Sequence, residues 1–274
     1  MISAAVFVCA HVAGRFYPAE LAVTVLDVGQ GDAAVLNKNG AAFIIDGGGK
    51  PGADVLVPYL DYLGVKRTAC VFISHFDEDH FVGLKEVIAQ KRAKAVFYPP
   101  AGRNDTSYSE FVTLCGNNGI PLEALSAGDA LTFGSGEIVT VSCLHPETDY
   151  APRDLNEASL VLKVAFGGAS FLFTGDIGAE AERILASNGR DVKTDILKLA
   201  HHGSKYSSSD IFLEAASPIM AVCGVGKNNT YGHPSAETLE RLEKHDVSFY
   251  NTAENGAVII NTDGKRYRVR TMLE

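Results

Sequence analysis

The sequence predicts a mixed α/β fold in which two sheets pack together between helices. Short apolar runs, typical of buried strands, alternate with segments whose apolar residues recur every third or fourth position, as in helices. At 274 residues the chain can bury a substantial core, and its 46% hydrophobic and 21% charged residues are typical of globular proteins. Since no linker or low-complexity stretch interrupts the pattern, we expect one domain over residues 21–274.

Turn residues separate the elements predicted in the first half. Gly29 and Gly31 interrupt an alternating strand pattern, and Gly64 follows a segment of helical spacing, as a C-terminal cap does. The predicted strands are 21–26, 33–36, 41–45, 70–73 and 94–98, and the predicted helices are 53–63, 84–90 and 108–115.

From Pro121 onward the apolar period changes to that of a sheet, with glycine turns between the runs. The strands predicted there are 122–125, 130–133, 138–144, 158–166 and 170–174. Helices then alternate with strands up to the closing strands of the chain. The predicted helices are 179–187, 210–216 and 235–245, and the predicted strands between them are 194–199 and 219–223.

The first 20 residues form an apolar tail outside the predicted domain. The run from Met1 to Val12 is interrupted at His11 and is far shorter than the ~20 residues of a membrane span. It also lacks the basic start of a signal peptide. We expect the remnant of a membrane segment or signal; the alternative is an edge strand or a frayed end.

Charge and cysteine usage restrict the classes of partner. A formal net charge of −9 argues against a broad basic face for nucleic acid, although bound metal ions would offset part of the acidic excess. The five cysteines are scattered without a Cys-X-X-Cys pair. Buried free thiols are therefore expected rather than a disulfide framework or a zinc knuckle.

The stretch from Ser74 to Gly83 carries the strongest chemical signal. It joins a predicted buried strand to a predicted helix and holds four metal-binding side chains within six residues: His75, Asp77, Asp79 and His80. Imidazoles and carboxylates in so short a loop can turn toward one point, as a metal site requires. The alternative is a solvated acidic turn with two incidental histidines.

Further polar residues follow predicted strands, where active-site residues collect. Asp176 could cap the following helix, and Asp32 and Asp46 could form turns; the metal-related roles of these three residues depend on the resemblance described below. Either His202 or His233 could be the last metal ligand. The candidates at strand ends are Asp32, Asp46, His145, Asp176, His201, His202 and His233.

The loop resembles the signature of the metallo-β-lactamase superfamily, His-X-His-X-Asp-His, with Asp77 in place of the second histidine. Together with Leu26-Asp27-Val28-Gly29-Gln30-Gly31-Asp32-Ala33 and His201-His202-Gly203-Ser204, it is similar to the C-terminal domain of ComEC-type DNA-uptake channel proteins. The resemblance runs from about residue 21 to about residue 270.

The resemblance implies an αββα four-layer sandwich, the metallo-β-lactamase fold, with two divalent metal ions, Zn or Mn. One ion would be held by His75, Asp77 and His145, the second by Asp79, His80 and His233, with Asp176 between them. Asp79, His202, Ser204 and Lys205 would be catalytic, and Asp32, Asp46 and His201 would support the ligands. Asp77 adds a hard oxygen ligand, which favours Mn while leaving Zn possible.

The resemblance further implies a metal-dependent hydrolase: a phosphodiesterase that degrades DNA during competence-related uptake through a hydroxide shared by the two ions. Single-stranded DNA would be the substrate, with Lys198, Lys205, Lys227 and Arg241 around the mouth of the site. We expect a monomeric soluble domain, extracytoplasmic or membrane-associated in a bacterium, with a membrane channel domain in the same or a partner protein.

Two alternatives stay open. A small-molecule hydrolase of the same fold, such as a phosphocholine esterase, lactonase or β-lactamase, would share every metal ligand. A non-catalytic DNA-binding module would use the metals only to hold the fold.

Overall fold

The computed structural model describes residues 20–101, 106–134, 137–152 and 154–273. The strands are Leu21–Val25 (β1), Ala33–Lys38 (β2), Ala41–Gly47 (β3), Cys70–Phe72 (β4), Val96–Tyr98 (β5), Leu122–Ala124 (β6), Ala130–Phe133 (β7), Val139–His145 (β8), Val161–Phe166 (β9), Ala169–Phe173 (β10), Ile196–Lys198 (β11), Met220–Cys223 (β12), Ser248–Asn251 (β13), Val258–Thr262 (β14) and Tyr267–Thr271 (β15). The helices are Lys50–Tyr62 (α1), Glu78–Phe81 (α2), Leu84–Ala89 (α3), Thr106–Asn118 (α4), Ala179–Ser187 (α5), Asp210–Ala216 (α6), Ala236–Lys244 (α7) and Thr252–Asn255 (α8).

The strands form two mixed sheets. The first has the order β15-β14-β1-β2-β3-β4-β5-β6, and the second has the order β13-β12-β11-β10-β9-β8-β7. Strands β3 to β6 of the first sheet and β10 to β13 of the second run parallel to their neighbours within each group. The remaining pairs are antiparallel. Each sheet therefore has a parallel half, whose carboxyl edge can collect functional side chains.

Alternation along the strands divides the core into three layers. In β3, Phe43 and Ile45 face a cluster shared by both sheets, while Ile44 faces a second cluster with α1 and α3. In β10, Phe171 belongs to the shared cluster and Leu172 to a third cluster with α5 and α6. Successive strand side chains point to opposite faces, so each sheet packs on its partner and on helices. The predicted αββα four-layer sandwich is confirmed.

One boundary difference from the sequence prediction lies before β9. The strand predicted at 158–166 begins only at Val161, because Leu155–Ala158 forms a 3₁₀ turn. Asp154 caps this turn by accepting a hydrogen bond from the backbone N–H of Asn156. Ala158, the last residue of this turn, is read as strand when periodicity alone is used.

Cys70, Cys115, Cys143 and Cys223 are buried free thiols, as predicted for these four. Cys9 and the rest of the predicted tail, residues 1–19, lie outside the described residues, so the expected boundary near residue 20 stays a prediction. Across the described ranges, no helix has the length and apolar character needed to cross a membrane.

Candidate metal centre

The candidate site lies where the carboxyl ends of parallel strands from both sheets meet. Asp46 is near the end of β3, and the loop with His75 and His80 follows β4. From the second sheet, Asp176 follows β10 and His202 follows β11. The fold therefore brings together residues that are far apart in the sequence.

Asp46 contacts both ends of the segment 74–80, which carries the candidate ligands and is called the metal-binding loop below. Its Oδ1 accepts a hydrogen bond from the Ser74 backbone N–H at 2.7 Å, and its Oδ2 accepts one from His80 Nδ1 at 3.0 Å. Asp46 has φ of 55°, a conformation that is uncommon for a residue other than glycine. Because Nδ1 of His80 donates to the carboxylate, the opposite nitrogen, Nε2, points toward the centre of the site.

Two glycines allow the loop to approach its supports. A Cβ atom at Gly31 would lie 2.3 Å from the Asp79 carbonyl oxygen, and one at Gly83 would lie 1.9 Å from the Gly47 carbonyl oxygen. The same carbonyl of Asp79 accepts a hydrogen bond from the backbone N–H of Asp32. These contacts fix the loop against both the β1–β2 connection and the end of β3.

The imidazoles converge on Asp176. Nε2 of His80 lies 3.2 Å from Asp176 Oδ1, and Nε2 of His202 lies 3.5 Å from Asp176 Oδ2. The same His202 atom lies 3.2 Å from Asp79 Oδ2. His75 lies beside this group, with its ring centroid 4.2 Å from that of His80 and its Nε2 3.6 Å from Asp77 Oδ2.

Several of these converging atoms are buried without a hydrogen-bond partner. They are His75 Nε2, His80 Nε2, Asp176 Oδ1 and His202 Nε2. Buried polar atoms are nearly always paired in folded proteins, so the arrangement lacks a partner that coordinates nitrogen and oxygen together. Imidazole nitrogens and carboxylate oxygens are the donor set of zinc and related divalent ions. The residues therefore fit a bound metal ion.

The electrostatics of the cluster also favour positive charge. Burial lowers the pKa of His202, but Asp176 and Asp32 outweigh burial and raise the pKa to about 10. Burial likewise lowers the pKa of His80, which Asp176 and Asp46 raise well above its usual value. The carboxylates thus stabilise positive charge between them, whether protonated imidazoles or a metal ion carry it.

A buried ion pair between Asp32 and Lys198 lies beside Nδ1 of His202. This Nδ1 donates to the Gly224 carbonyl at 2.9 Å and lies 3.3 Å from Asp32 Oδ1, while Asp32 Oδ2 lies 2.6 Å from Lys198 Nζ. Asp32, His80, Asp176 and His202 have ligand atoms within 4.8 Å of one another. Since Asp32 faces Nδ1 of His202 rather than Nε2, we assign it to orienting the ring. Lys198 is buried here, which corrects the expectation that it lies at the mouth.

Three predicted histidines lie outside this converging group. His145 Nε2 donates to the Glu157 carbonyl at 2.7 Å, and its ring packs edge-on against Tyr150. The ring of His233 lies 6.4 Å from that of His202. His201 is closer, with Nε2 3.8 Å from Asp176 Oδ2, and is partly exposed.

The two predicted catalytic residues after the histidine pair differ in exposure. Ser204 is buried; its Oγ accepts a hydrogen bond from the Tyr206 backbone N–H, and its carbonyl accepts one from Thr238. Lys205 is exposed and lines an open cleft of about 490 Å³ together with Asp176 and His201. Of the two, Lys205 is therefore the one whose side chain lies open to the cleft.

Two supporting residues were missed in the sequence. Ser74 Oγ lies 2.9 Å from His75 Nδ1 and 3.2 Å from His80 Nδ1. Ser159 Oγ lies 3.1 Å from the Asp176 backbone nitrogen, which donates to it. Ser74 could have been found in the sequence as a supporting residue, because it directly precedes His75. Ser159 could not, because it follows a 3₁₀ turn whose last residue was predicted as strand.

Comparison with known proteins supports the assignment of the fold and its family. The model of the metallo-β-lactamase superfamily matches residues 26–111. ComE operon protein 3 of Bacillus subtilis (strain 168) is 28% identical over 254 residues, which cover 86% of this chain and 32% of that protein. Competence protein ComA of Neisseria gonorrhoeae is 31% identical over 246 residues, which cover 87% and 32%. The chain thus spans about a third of the length of these relatives.

A solved structure with little sequence identity shares the same architecture. The metallo-β-lactamase fold protein YhfI from Bacillus subtilis superposes with a TM-score of 0.62 at 12% identity, covering 89% of this chain and all of YhfI. This likeness concerns the fold alone.

The match to the family model and the similarity to the competence proteins confirm the resemblance to the metallo-β-lactamase superfamily, and to ComEC-type competence proteins in particular.

Proposed function

We propose that the chain is a metal-dependent phosphodiesterase that degrades DNA, as a nuclease acting during DNA uptake. The observation that carries this proposal is the convergence of buried, unpartnered nitrogen and oxygen atoms on Asp176. The names of the relatives, a ComE operon protein and a competence protein, support a role in competence. The open cleft beside Asp176 supports a substrate larger than a single buried ligand.

In this proposal Asp176 would help to hold two divalent ions, Zn or Mn. His75 and Asp77 would be further ligands of the first ion, and Asp79, His80 and His202 would be those of the second. His202 replaces His233 as the last ligand, because its Nε2 lies near both Asp79 and Asp176. His145 is not assigned as a ligand, since its Nε2 already donates to a carbonyl.

Each group of the proposed site has a separate chemical role. Bound divalent ions would supply a hydroxide nucleophile at neutral pH and neutralise charge on a phosphodiester. Asp46 and the Gly224 carbonyl accept hydrogen bonds from Nδ1 of His80 and of His202 and so aim each Nε2 inward, with the Asp32 carboxylate 3.3 Å from the same His202 atom. The ammonium group of Lys205, in the cleft, would stabilise charge that develops on the phosphoryl oxygens.

His201 and Ser204 have separate roles in this scheme. The His201 ring would donate a proton to the leaving oxygen; its partial exposure and its position beside Asp176 support this role. Ser204 positions the loop that carries Lys205, because its hydroxyl and carbonyl oxygens both accept hydrogen bonds within the protein.

Cleavage of end-labelled DNA tests the proposal. Metal-stripped protein would be assayed on single- and double-stranded DNA before and after Mn or Zn is restored, beside an Asp77→Ala, Asp176→Ala double variant. We expect metal-dependent cleavage that the double variant lacks. An Asp54→Ala variant, which removes an exposed carboxylate of α1, serves as the control and should retain activity.

The opposite outcome is equally informative. If folded wild-type protein with a measured full metal content leaves both forms of DNA intact, the nuclease proposal is wrong. Hydrolysis of phosphocholine esters or lactones by the same sample would then favour the small-molecule enzyme, and the absence of any turnover would favour the non-catalytic module.

A further inference from the structure

An exposed tyrosine stands near the candidate metal centre. Tyr231 has 71% of its surface exposed, and its ring stacks on His233 with centroids 5.9 Å apart and planes 25° apart. The exposed face of the Tyr231 ring is apolar surface in contact with water, and a ligand that stacks on it would remove that surface from water.

His233 links this open ring to the metal centre. Its ring lies 5.8 Å from that of His201 and 6.4 Å from that of His202, the proposed ligand. Tyr231 is thus two ring contacts away from a residue that faces Asp176. The rings of His202, His233 and Tyr231 therefore form a row that extends from the buried cluster to the solvent.

Hydrogen bonds hold the backbone of His233, on whose ring Tyr231 stacks. Asn229 accepts a hydrogen bond from the His233 backbone N–H at 3.0 Å and donates one to the His233 carbonyl at 2.7 Å. The same amide nitrogen also donates to the Gly226 carbonyl at 2.9 Å. These bonds fix the backbone of His233, so the ring on which Tyr231 stacks is carried by an ordered segment, which reduces the order that must be gained when a ligand stacks on Tyr231.

We propose that Tyr231, backed by His233, is a stacking platform for an unpaired nucleobase of the strand whose phosphodiester lies at the metal centre. This inference rests on the proposed function and deepens it by assigning a base-binding site. A base inside a duplex has both faces covered by its neighbours, whereas an unpaired base can stack on an aromatic side chain. The platform therefore selects single-stranded substrate.

The charge of the protein makes stacking important for affinity. With a formal net charge of −9, the chain as a whole repels a polyanion, so the usual electrostatic contribution to nucleic-acid binding is weak. Stacking does not depend on net charge and tolerates every base. It supplies affinity where a broad basic face is lacking.

The chain offers a matched control. Tyr62, at the end of α1, is 84% exposed and stacks on Tyr59 with centroids 6.1 Å apart and planes 25° apart. Its pair has the same geometry as Tyr231 and His233. The other end of α1 meets the metal-binding loop, and a helix of this length spans about 18 Å, so Tyr62 is remote from the site.

Fluorescence can report stacking directly, because the sequence contains no tryptophan. Tyr231→Trp and Tyr62→Trp each introduce a single indole. Metal-loaded protein would be mixed with phosphorothioate oligothymidylate, whose linkages resist cleavage, and the signal recorded within seconds. We expect saturable quenching for Tyr231→Trp and none for Tyr62→Trp. Equal behaviour of the two variants, or no quenching of Tyr231→Trp while a labelled oligonucleotide is bound, would overturn the inference.

Kinetics separate this inference from the proposed function. For Tyr231→Ala we expect KM for oligothymidylate to rise roughly fivefold or more with kcat little changed, a change that Tyr231→Phe does not show because the ring is retained. Tyr62→Ala should match wild type, and an abasic oligonucleotide should not distinguish Tyr231→Ala from wild type. Wild-type cleavage with an unchanged KM in Tyr231→Ala would disprove the platform alone; absence of wild-type cleavage would disprove the nuclease.

Discussion

At the scale of single residues, Asp46 decides which nitrogen of His80 faces the metal centre. Its two oxygens accept from the Ser74 N–H and from His80 Nδ1. An asparagine can satisfy only one of these donors. If its amide faces His80, the imidazole proton moves to Nε2, the atom that should bind metal.

We therefore expect Asp46→Asn to weaken metal binding by roughly ten- to a hundredfold. Competition with a chromophoric chelator measures the change. Asp129→Asn is the control, because the Asp129 carboxylate accepts a hydrogen bond from the Ser126 backbone N–H in a surface turn. Equal affinities of Asp46→Asn and wild type would show that the carboxylate does not set the tautomer.

The buried pair of Lys198 and Asp32 makes a second prediction at this scale. Burial lowers the pKa of Lys198, but the nearby Asp32 carboxylate raises it above its usual value, so the ammonium stays charged. In Lys198→Met the Asp32 carboxylate loses its countercharge, and we expect a loss of roughly 3–5 kcal/mol in the free energy of unfolding. Urea denaturation measures it.

Two further variants control this experiment. Lys163→Met breaks a pair with the exposed Asp191 and should cost less than about 1 kcal/mol. Adding Asp32→Asn to Lys198→Met should recover part of the stability, because no unpaired charge then remains buried. A loss under about 1 kcal/mol for Lys198→Met alone contradicts the prediction.

Sequence reasoning named the candidate metal ligands of the loop but left the last candidate ligand open between His202 and His233. His75, Asp77, Asp79 and His80 stand close together, so spacing identifies them. His202 turns inward because it and the residue before it have positive φ, of 53° and 49°. Residues other than glycine rarely adopt this conformation, so no sequence pattern predicts it.

At the scale of elements, the close approach of glycines fixes the helix after the metal-binding loop. The N–H of Gly83 donates to the Gly48 carbonyl, and a methyl group at Gly83 would collide with the Gly47 carbonyl. We expect Gly83→Ala to cost roughly 1–3 kcal/mol of unfolding free energy or more, and to weaken metal binding, because the loop must move.

Gly116→Ala is the matched control. Gly116 is an exposed residue of α4 with nothing within 4 Å of its would-be Cβ atom, so alanine there should stabilise the protein by about 0.5–1 kcal/mol. Thermal and urea unfolding of both variants give the comparison. If Gly83→Ala is as stable as wild type, the approach of the loop to β3 is not needed for folding.

Elements with clear caps and periodicity were predicted well. Helices α5 and α6 occupy the predicted ranges, and Ser209 caps α6 by accepting from the Phe212 N–H. The order of strands in the sheets could not be predicted from the sequence. Strand β1 pairs with β14, which lies near the other end of the chain, and local patterns do not encode such contacts.

At the scale of the whole molecule, the metal centre joins the two sheets. Asp46 and His80 belong to the first sheet and its loop, whereas Asp176 and His202 follow strands of the second sheet. Unfolding separates these groups, so a metal ion held by them would bind the folded chain much more tightly than the unfolded one. Metal binding should therefore stabilise the entire sandwich rather than a single loop.

We expect metal at a hundred times its dissociation constant to add about 2.7 kcal/mol to the free energy of unfolding, which corresponds to about 5–10 °C in Tm for a domain of this size. Calorimetry of chelator-treated and metal-loaded protein measures the shift. In Asp176→Ala the shift should nearly vanish, because this carboxylate faces both imidazoles that join the sheets. The Asp54→Ala control should keep it. A Tm that does not respond to Mn or Zn in the wild-type protein would mean that the converging side chains do not bind these ions, and the Asp176 carboxylate would then serve only to pair with protonated histidines.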